Sequence, residues 1–483
     1  MSGTTVDGVH RLPENGIKVI IIGAGNAGLQ TALECWRKGC DVVVLEKADK
    51  LSPLGDFFTI TPSALCTLKE YPSMYRDYHR KVYDCSVHCY APSGKELVNM
   101  TPEWKRPGVA TAAPDVDVSF IKRRTDFAQM QLDQLERLGV PVVYGDRAAS
   151  VAEEADRVVV TTEEGRTYRG DVCVGASGIG SMVPGFDAGP QVQVQDSGYA
   201  VARAAFPRGA VEEGSPASSL LASVDRKPEF RTYVGKDLHL ILFLTADWVG
   251  IAFTHPDYDH AQESWSNLKA PSELISYLEK TGDEWDPAVL DFVRSCPTGV
   301  VDWKLRWRDG AEQWTSDRGR LLRLGDAAHA FFPTAGNGAV QAIEDALSFA
   351  ECLRIAGKDN VPLATKVHNK LRFQRTSILQ QTGVVNREEL HFTDTESSRE
   401  EDEKKEFDVG FFRMGRWVWS HNPETYARDN YEACLASITE GAAFTNTNLP
   451  PGHVYEPWTL AEEMKRAEAG IKSSLKQNGD WNA

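Results

Sequence analysis

No run of apolar residues in this 483-residue chain is long enough to cross a lipid bilayer, since a transmembrane helix needs about 20 of them. The opening segment MSGTTVDGVHRLPENG is polar and lacks the hydrophobic core of a secretion signal. Both features disfavour a membrane protein and a secreted protein. The sequence therefore predicts a cytoplasmic protein without a membrane partner.

The chain is also poor in basic residues. It carries 53 Lys and Arg against 69 Asp and Glu, which gives a formal net charge of -16 at pH 7. Nucleic-acid binding depends on a basic surface that releases counterions from the phosphates. We therefore expect no nucleic-acid partner.

The nine cysteines are an odd number at irregular spacings, a pattern that does not predict a disulfide framework. The group most like a metal site is CSVHC, with Cys85, His88 and Cys89, just before the turn residues PSG. Its alternation is typical of a strand that leads into a hairpin, and no second ligand pair is evident for zinc. We expect reduced thiols and no metal site.

A glycine-rich segment follows the first apolar run. The strings IKVIIIG, AGNAGLQTALECWRKGC and DVVVLE predict a strand, a tight turn with a helix, and a second strand. Gly23, Gly25 and Gly28 stand where such a unit needs a tight turn, close approach of the backbone to a pyrophosphate, and close helix packing. Glu46, which ends the second strand, is placed to accept hydrogen bonds from ribose hydroxyls. These residues predict a dinucleotide site at a helix N-terminus.

A second glycine-rich segment, LGDAAHAFFPTAGNGAVQAIEDA, spans residues 324–346. Asp326 is predicted to end a strand and to accept hydrogen bonds from a sugar alcohol, and Pro333 stiffens the turn that follows. Backbone N–H groups are then exposed at the start of a helix, in Gly336, Asn337 and Gly338. A helix cap would explain this segment alone, but not its pairing with the first. Two segments that hold one ligand point to FAD.

The regions between and after these segments predict the domain organisation. Long alternating runs such as GYAVARAAF and LHLILFLTADWVGIAFT predict a separate sheet, and the chain after residue 345 is mostly helical, with a solvated charged run at 393–408. The expected fold class is α/β: a discontinuous Rossmann-like FAD-binding lobe, an inserted mixed or antiparallel β-sheet substrate domain, and a helical C-terminal region. The predicted boundaries are 1–189 and 311–380 for the FAD-binding lobe, 190–310 for the substrate domain and 381–483 for the C-terminal region.

Both motifs resemble those of the FAD-dependent aromatic hydroxylases, the single-component (group A) flavoprotein monooxygenases, and especially the fungal salicylate-hydroxylase-like branch. The Gly-Asp motif of that family maps on Gly325, Asp326, Ala327, Ala328, His329, Pro333, Gly336, Gly338, Glu344, Asp345 and Ala346. The resemblance also implies that Arg124, in RRTDF, holds the FAD. LRFQRTSILQ, with Arg372 and Arg375, resembles the downstream helix of the family, and WVWSHNPETYA its C-terminal signature.

The resemblance implies an oxidoreductase in which NADPH or NADH reduces FAD as a transient visitor, because the chain has one dinucleotide fingerprint and no dedicated nicotinamide domain. The reduced flavin then reacts with O2 to a C4a-hydroperoxide. This species hydroxylates or epoxidises an electron-rich aromatic or heteroaromatic small molecule, in keeping with a biosynthetic role in secondary metabolism. We expect a monomer or a homodimer.

The candidate catalytic residues lie near the flavin turn and on the predicted sheet. The resemblance implies that Arg203, in GYAVARAAF, faces the substrate, with a salt bridge between the lobes as the alternative. Tyr233 and His239 lie on alternating strands, where packed and hydrogen-bonded side chains are the alternative explanation. Pro333 completes the set.

One match departs from the family. Its members read GADG followed by S-x-V-R, whereas this chain reads GASGIGSMVP, so that Ser177 replaces an acidic residue and Pro184 an arginine. Gly175, Gly178 and Ser181 keep the pattern. In the family, the acidic residue lies near the path by which the nicotinamide donor reduces the flavin, so its replacement affects the expected contact with that donor. The alternative function is therefore an FAD-binding oxidoreductase or cyclase that does not insert oxygen. A flavin-dependent halogenase is disfavoured, because WVWSHN lacks the Ile-Pro of the W-x-W-x-I-P motif.

Overall fold

The computed structural model describes residues 3–52, 57–179, 183–190, 194–224, 227–258, 261, 262, 264, 267–297, 299–391 and 415–482. Ser181 and the charged run at 393–408 lie outside these residues. The described strands are β1 (Thr4–Val6), β2 (Val9–Arg11), β3 (Lys18–Ile22), β4 (Asp41–Leu45), β5 (Phe57–Thr59), β6 (Ser86–Tyr90), β7 (Glu96–Met100), β8 (Ile121–Arg123), β9 (Val142–Val143), β10 (Ala148–Glu153), β11 (Val158–Thr162), β12 (Thr167–Gly170), β13 (Val172–Gly175), β14 (Gln195–Pro207), β15 (Glu229–Gly235), β16 (Leu238–Leu244), β17 (Trp248–Pro256), β18 (Leu268–Lys269), β19 (Val300–Trp307) and β20 (Leu321–Arg323).

The described α-helices are α1 (Asn26–Arg37), α2 (Pro72–His79), α3 (Arg124–Leu138), α4 (Pro216–Ser223), α5 (Pro271–Glu279), α6 (Pro287–Arg294), α7 (Asp326–His329), α8 (Gly338–Ala356), α9 (Val361–His391), α10 (Arg416–Trp419), α11 (Pro423–Thr439) and α12 (Leu460–Glu468). Short 3-10 helices cover Pro62–Leu65, Leu68–Glu70, Glu103–Lys105, Arg208–Ala210, Pro333–Ala335, Lys358–Asn360 and Leu475–Gln477. Among the described helices, none combines the length and the apolar composition that a bilayer crossing requires.

A parallel sheet with the strand order β20-β13-β3-β4-β9 forms the first lobe. Its central strands read KVIII and DVVVL, nearly continuous β-branched runs that suit strands covered on both faces. Helix α1 packs against both α3 and α8. Because β20 joins the sheet from a distant part of the chain, the lobe is discontinuous, as the sequence predicted.

A larger sheet with the order β18-β19-β14-β17-β16-β15-β6-β7 forms the second layer, which we call the platform. Its pairs are antiparallel except for β15 with β6. The alternation of β16, LHLILFL, turns Leu240 and Leu242 toward α5 and α6, where they form an apolar core. The opposite face of the platform is left for the cavity described below.

Two predicted boundaries differ from the structure. Strands β6 and β7, from residues 86–100, belong to the platform, because β6 pairs in parallel with β15 over Ser86–Tyr90. The boundary at residue 190 therefore does not separate the two sheets. Helix α9 also runs without interruption from Val361 to His391 and crosses the boundary predicted after residue 380.

Candidate functional site

A cavity of about 970 Å³ joins both glycine-rich segments to the platform. One end lies against the turn between β3 and α1, and the other lies against the face of the platform opposite α5 and α6. The cavity brings together most of the predicted site residues: Gly23, Gly25, Glu46, Arg124, Arg203, Asp326, Pro333, Gly336, Asn337 and Gly338. Gly28 and Gly325 are not among its lining residues and support the turns from behind.

The first glycine turn is shaped by close backbone contacts. A Cβ on Gly23, whose φ is +111°, would lie 2.6 Å from the carbonyl oxygen of Ala176. A Cβ on Gly28 would lie 1.9 Å from the carbonyl oxygen of Gly23, because α1 packs directly on the turn. A Cβ on Gly25 would meet no atom of the described residues within 4 Å. Gly25 faces the cavity, which leaves its backbone open to a close ligand.

Glu46 lies just after β4, and backbone amides hold its carboxylate at the cavity. One oxygen accepts from Ala24 N at 2.8 Å and the other accepts from Ala48 N at 2.9 Å. A carboxylate has about four acceptor sites, so it retains capacity for hydroxyl donors after these two bonds. This geometry suits the predicted contact with a ribose.

The second glycine turn differs in detail from the prediction. Strand β20 ends at Arg323, and Asp326 is the first residue of α7 and not the last residue of a strand. Its side chain is exposed to the cavity and makes no hydrogen bond within the described part of the chain. Asp326 lies outside the strand because Gly325, at φ +60°, turns the chain just before it. This turn passes between Ala27 and Ala342, and a Cβ on Gly325 would lie 3.1 Å from the Cβ atom of each alanine. The carboxylate is free to accept hydrogen bonds from a ligand.

A buried ionic network holds this turn from behind. Asp345 accepts from Gly325 N at 3.1 Å, from His329 Nε2 at 2.6 Å and from Arg372 Nε at 2.8 Å. Burial alone would raise the pKa of the Asp345 carboxyl, but His329 and Arg372 hold this pKa below its usual value. The resemblance placed His329 and Asp345 in the Gly-Asp motif and Arg372 in the downstream helix, and the structure shows that together they support the turn.

Helix α9 and strand β5 position the loop that leads into α8. Thr59 Oγ1 donates to the carbonyl oxygen of Gly336 at 2.6 Å, and Asn386 Nδ2 donates to the carbonyl oxygen of Thr334 at 3.1 Å. Pro333 opens the short 3-10 helix of this loop. The N-terminal end of α8 therefore meets the cavity in a fixed orientation, where its amides favour an electron-rich group.

Arg124 is the first residue of α3 and lines the cavity with an exposed side chain. Its guanidinium forms no hydrogen bond or ion pair with another residue that the structure describes. Ser177 and Gly178, in the turn after β13, also line the cavity. Ser177 therefore stands at the cavity wall, at the position where the family has an acidic side chain.

The platform end of the cavity is mainly apolar and aromatic. Phe230 makes edge contacts with Phe120 and Phe243 at centroid distances of 5.5 and 5.2 Å, and Trp104 lies 5.8 Å from Phe120. Arg203 lines the same end, with Cζ 5.6 Å from the ring of Trp303. Sequence reasoning missed the aromatic group, because its members come from separate strands and loops without a common spacing.

The other two predicted catalytic side chains do not line the cavity. Tyr233 faces the α5 and α6 side of the platform, where it stacks on Tyr90 at 5.2 Å, and burial raises its pKa. His239 lies on the cavity side, but its Nδ1 is 2.8 Å from Nε2 of His391, and burial lowers its pKa to about 3. The alternation of strands alone could not distinguish these positions from Arg203.

The described residues fit FAD on three counts: an open backbone at Gly25, a free carboxylate at Asp326 and a free guanidinium at Arg124.

No group of three or more His, Cys, Asp or Glu side chains that could hold a metal ion occurs in the described ranges. His88, of the CSVHC group, instead contacts Ser86 Oγ and Glu96 Oε1 at 2.7 and 2.8 Å.

Both glycine-rich segments match family models. Residues 18–53 match a model described as an FAD binding domain, and residues 290–360 match a second model of the same description. These ranges contain the first glycine turn with Glu46 and the Gly-Asp turn with the start of α8. The prediction of FAD as the cofactor is confirmed.

Two fungal relatives match nearly the whole chain. The FAD-dependent monooxygenase dmxR9 of Cryptosporiopsis sp. (strain 8999) is 36% identical over 484 residues, 99% of this chain and 92% of the relative. The FAD-dependent monooxygenase fsr3 of Gibberella fujikuroi is 36% identical over 486 residues, 98% of this chain and 91% of the relative. Identity at this level over the full length confirms the predicted enzyme class.

Solved structures confirm the fold class. The crystal structure of CtdE in complex with FAD and substrate 4 is 24% identical, covers 88% of this chain and 100% of that chain, and gives a TM-score of 0.78. A salicylate hydroxylase substrate complex is 20% identical, covers 86% and 98% of the two chains, and gives a TM-score of 0.64. At these identities the likeness concerns the fold alone.

Proposed function

Because the chain belongs to the FAD-dependent aromatic hydroxylase family and is an FAD-dependent monooxygenase, we propose that it uses NAD(P)H and O2 to hydroxylate or epoxidise an electron-rich aromatic small molecule. The observation that carries this proposal is the continuity of the cavity from the glycine turns to the aromatic wall of the platform. A role in secondary metabolism remains a prediction.

The residues that would hold FAD act through backbone and charge. Gly23 and Gly25 would leave room for the pyrophosphate at the N-terminus of α1, and Glu46 would accept from the ribose. Asp326 would accept from the ribityl chain, and Arg124 would add positive charge. Bound FAD would supply the redox chemistry, a transfer of two electrons from NAD(P)H to O2 by which one oxygen atom would enter the substrate and the other would leave as water.

The protein contributes a dry and oriented site for the substrate. Phe120, Phe230 and Phe243 line the cavity as an apolar wall, which would exclude water and pack against a flat aromatic molecule. Arg203 supplies a charged donor within this apolar wall, where a hydrogen bond to a substrate oxygen is stronger than in water. The arrangement therefore selects an aromatic compound that carries an oxygen substituent.

The test is a screen of aromatic acids, phenols and indole alkaloids with the purified holoenzyme. For a true substrate, NAD(P)H and O2 are consumed one to one, and mass spectrometry finds one atom of ¹⁸O from ¹⁸O₂ in the product. Consumption of NAD(P)H with release of hydrogen peroxide and no labelled product for every compound would contradict oxygen insertion.

A further inference from the structure

One carboxylate lines the cavity outside the two glycine-rich segments. Glu103 is a half-buried lining residue and the first residue of the short 3-10 helix Glu103–Lys105. The next residue, Trp104, also lines the cavity, and its ring lies 5.8 Å from the ring of Phe120. Because Phe120 belongs to the aromatic wall, Glu103 lies at the platform end of the cavity.

The carboxylate of Glu103 has few partners in the protein. Its Oε2 accepts a hydrogen bond from Nε1 of Trp419 at 3.4 Å, which is long for a bond of this kind. No Lys, Arg or His of the described ranges forms an ion pair with it, and the adjacent Lys105 bonds to Asp84 instead. Partial burial of a carboxylate costs free energy unless donors replace the lost water. Most of its four or so acceptor positions are open to a ligand.

The charges around Glu103 decide which ligand group suits it. Arg203, on β14, and Arg106, two residues after Trp104, line the same cavity. Both side chains carry a permanent positive charge. A cationic ligand would therefore be repelled by two guanidinium groups, and an anionic group in contact with Glu103 would be repelled by the carboxylate. The group that fits Glu103 is neutral and carries a polar hydrogen.

We propose that Glu103 accepts a hydrogen bond from a neutral O–H or N–H group on the ring of the aromatic substrate. Such a bond has a charged acceptor, and within an apolar wall it is stronger than in water. Arg203 would donate to one position of the substrate, and Glu103 would accept from another. The proposal rests on the proposed function, because it assumes that the cavity holds an aromatic substrate.

The experiment measures binding to the FAD-loaded enzyme at neutral pH in the absence of NAD(P)H, by calorimetry and by the shift of flavin absorbance. The probes are two matched pairs, 2-naphthol with 2-methoxynaphthalene and indole with 1-methylindole, in which a methyl group replaces the polar hydrogen. We expect the wild type to bind the donor member of one pair about tenfold more tightly than its methylated partner, the effect of one hydrogen bond to a charged group. The pair that discriminates identifies the donor as a hydroxyl or a ring N–H.

Two variants of Glu103 separate hydrogen bonding from shape. Glu103→Leu removes the acceptor and should reduce the ratio of the two Kd values to about one, with the Kd of the methylated member nearly unchanged. Glu103→Gln, whose amide oxygen accepts without a charge, should retain part of the ratio. If the added methyl group merely clashed with the wall, the ratio would persist in Glu103→Leu.

The matched control is Glu96, on β7 at the same edge of the platform. Its side chain is 46% exposed, its Oε1 lies 2.8 Å from Nδ1 of His88, and it is not among the lining residues of the cavity. Glu96→Leu should leave the ratio at the wild-type value. A wild type that discriminates neither pair, an unchanged ratio in Glu103→Leu, or an equal loss of the ratio in Glu96→Leu overturns the proposal.

Because binding needs no turnover, the outcome is independent of oxygen insertion. An enzyme that inserts no oxygen but shows a Glu103-dependent ratio would refute the proposed function and retain the hydrogen bond. An enzyme that inserts oxygen without such a ratio would do the reverse.

Discussion

The two ends of the cavity are built by different means. At the FAD end the backbone makes the shape: Gly28 packs on Gly23, and amides of the chain hold Glu46. At the platform end side chains make the shape, and Phe120, Phe230 and Arg203 come from separate strands and loops. A site shaped by the backbone tolerates almost no substitution, because a new side chain would displace the turn. A site shaped by side chains can be substituted, and so bind a different ligand, without loss of the fold. A substitution at the first end is therefore expected to affect the fold and the cofactor together, whereas a substitution at the second end is expected to affect the substrate alone.

The largest effect is expected from a single methyl group in the first glycine turn. In Gly28→Ala the new Cβ would lie 1.9 Å from a backbone oxygen, so α1 must move away from the turn. We expect the free energy of unfolding of the apoprotein to fall by about 3 kcal/mol and FAD to be lost, as measured by urea denaturation and flavin absorbance.

The matched control is Gly25→Ala, whose Cβ has no neighbour within 4 Å in the part of the chain that the structure describes. It should leave the urea midpoint of the apoprotein unchanged and weaken FAD binding by about tenfold, or 1.4 kcal/mol. Equal destabilisation by both variants would show that the turn is a structural element without a ligand.

The second prediction concerns the free carboxylate of the Gly-Asp turn. Asp326→Ala removes charged hydrogen bonds to the cofactor, each of which contributes about 1.5–3 kcal/mol. We expect the Kd for FAD, measured by fluorescence titration, to rise by about tenfold to a hundredfold. The exposed Asp359, which does not line the cavity, is the control, and Asp359→Ala should bind FAD as the wild type does. Unchanged flavin retention in Asp326→Ala would contradict its assignment.

The contrast between the two ends also explains what could be predicted from the sequence. Gly23, Glu46 and Asp326 could be predicted to share a site, and they do line one cavity, because each stands at a fixed spacing in one of two short stretches of chain. The aromatic wall has no such spacing, since tertiary packing brings together Phe120, Phe230 and Phe243 from distant parts of the sequence. Tyr233 and Arg203 both lie on alternating strands, and the alternation does not reveal which face of a sheet meets a cavity.

The third prediction separates those two platform residues. Arg203→Gln should leave FAD bound and raise the KM of an oxygen-bearing aromatic substrate by about tenfold, because one charged hydrogen bond is lost. Tyr233→Phe changes a side chain that is buried on the other face, and both kcat and KM should stay within twofold of the wild type. If Tyr233→Phe lowered kcat while Arg203→Gln did not change KM, the assignment of the two faces would be wrong.

The smallest effect concerns the pH dependence of stability, and one buried imidazole from each lobe, His368 and His239, can test it. Burial lowers the pKa of His368 in the FAD-binding lobe to about 3, and it lowers the pKa of His239 in the platform to about 3. An unfolded histidine has a pKa of about 6.5. Between these two values the unfolded chain binds a proton that the folded chain does not bind, so stability falls as the pH falls.

Each histidine therefore contributes a loss of up to about 1.4 kcal/mol per pH unit below pH 6.5. His368→Gln and His239→Gln should each reduce the slope of the free energy of unfolding between pH 6.5 and 5, as measured by urea denaturation at a series of pH values. The slope is the informative quantity, because a general loss of packing shifts the curve equally at every pH. A slope that stays at the wild-type value in both variants would mean that these imidazoles accept protons in the folded state.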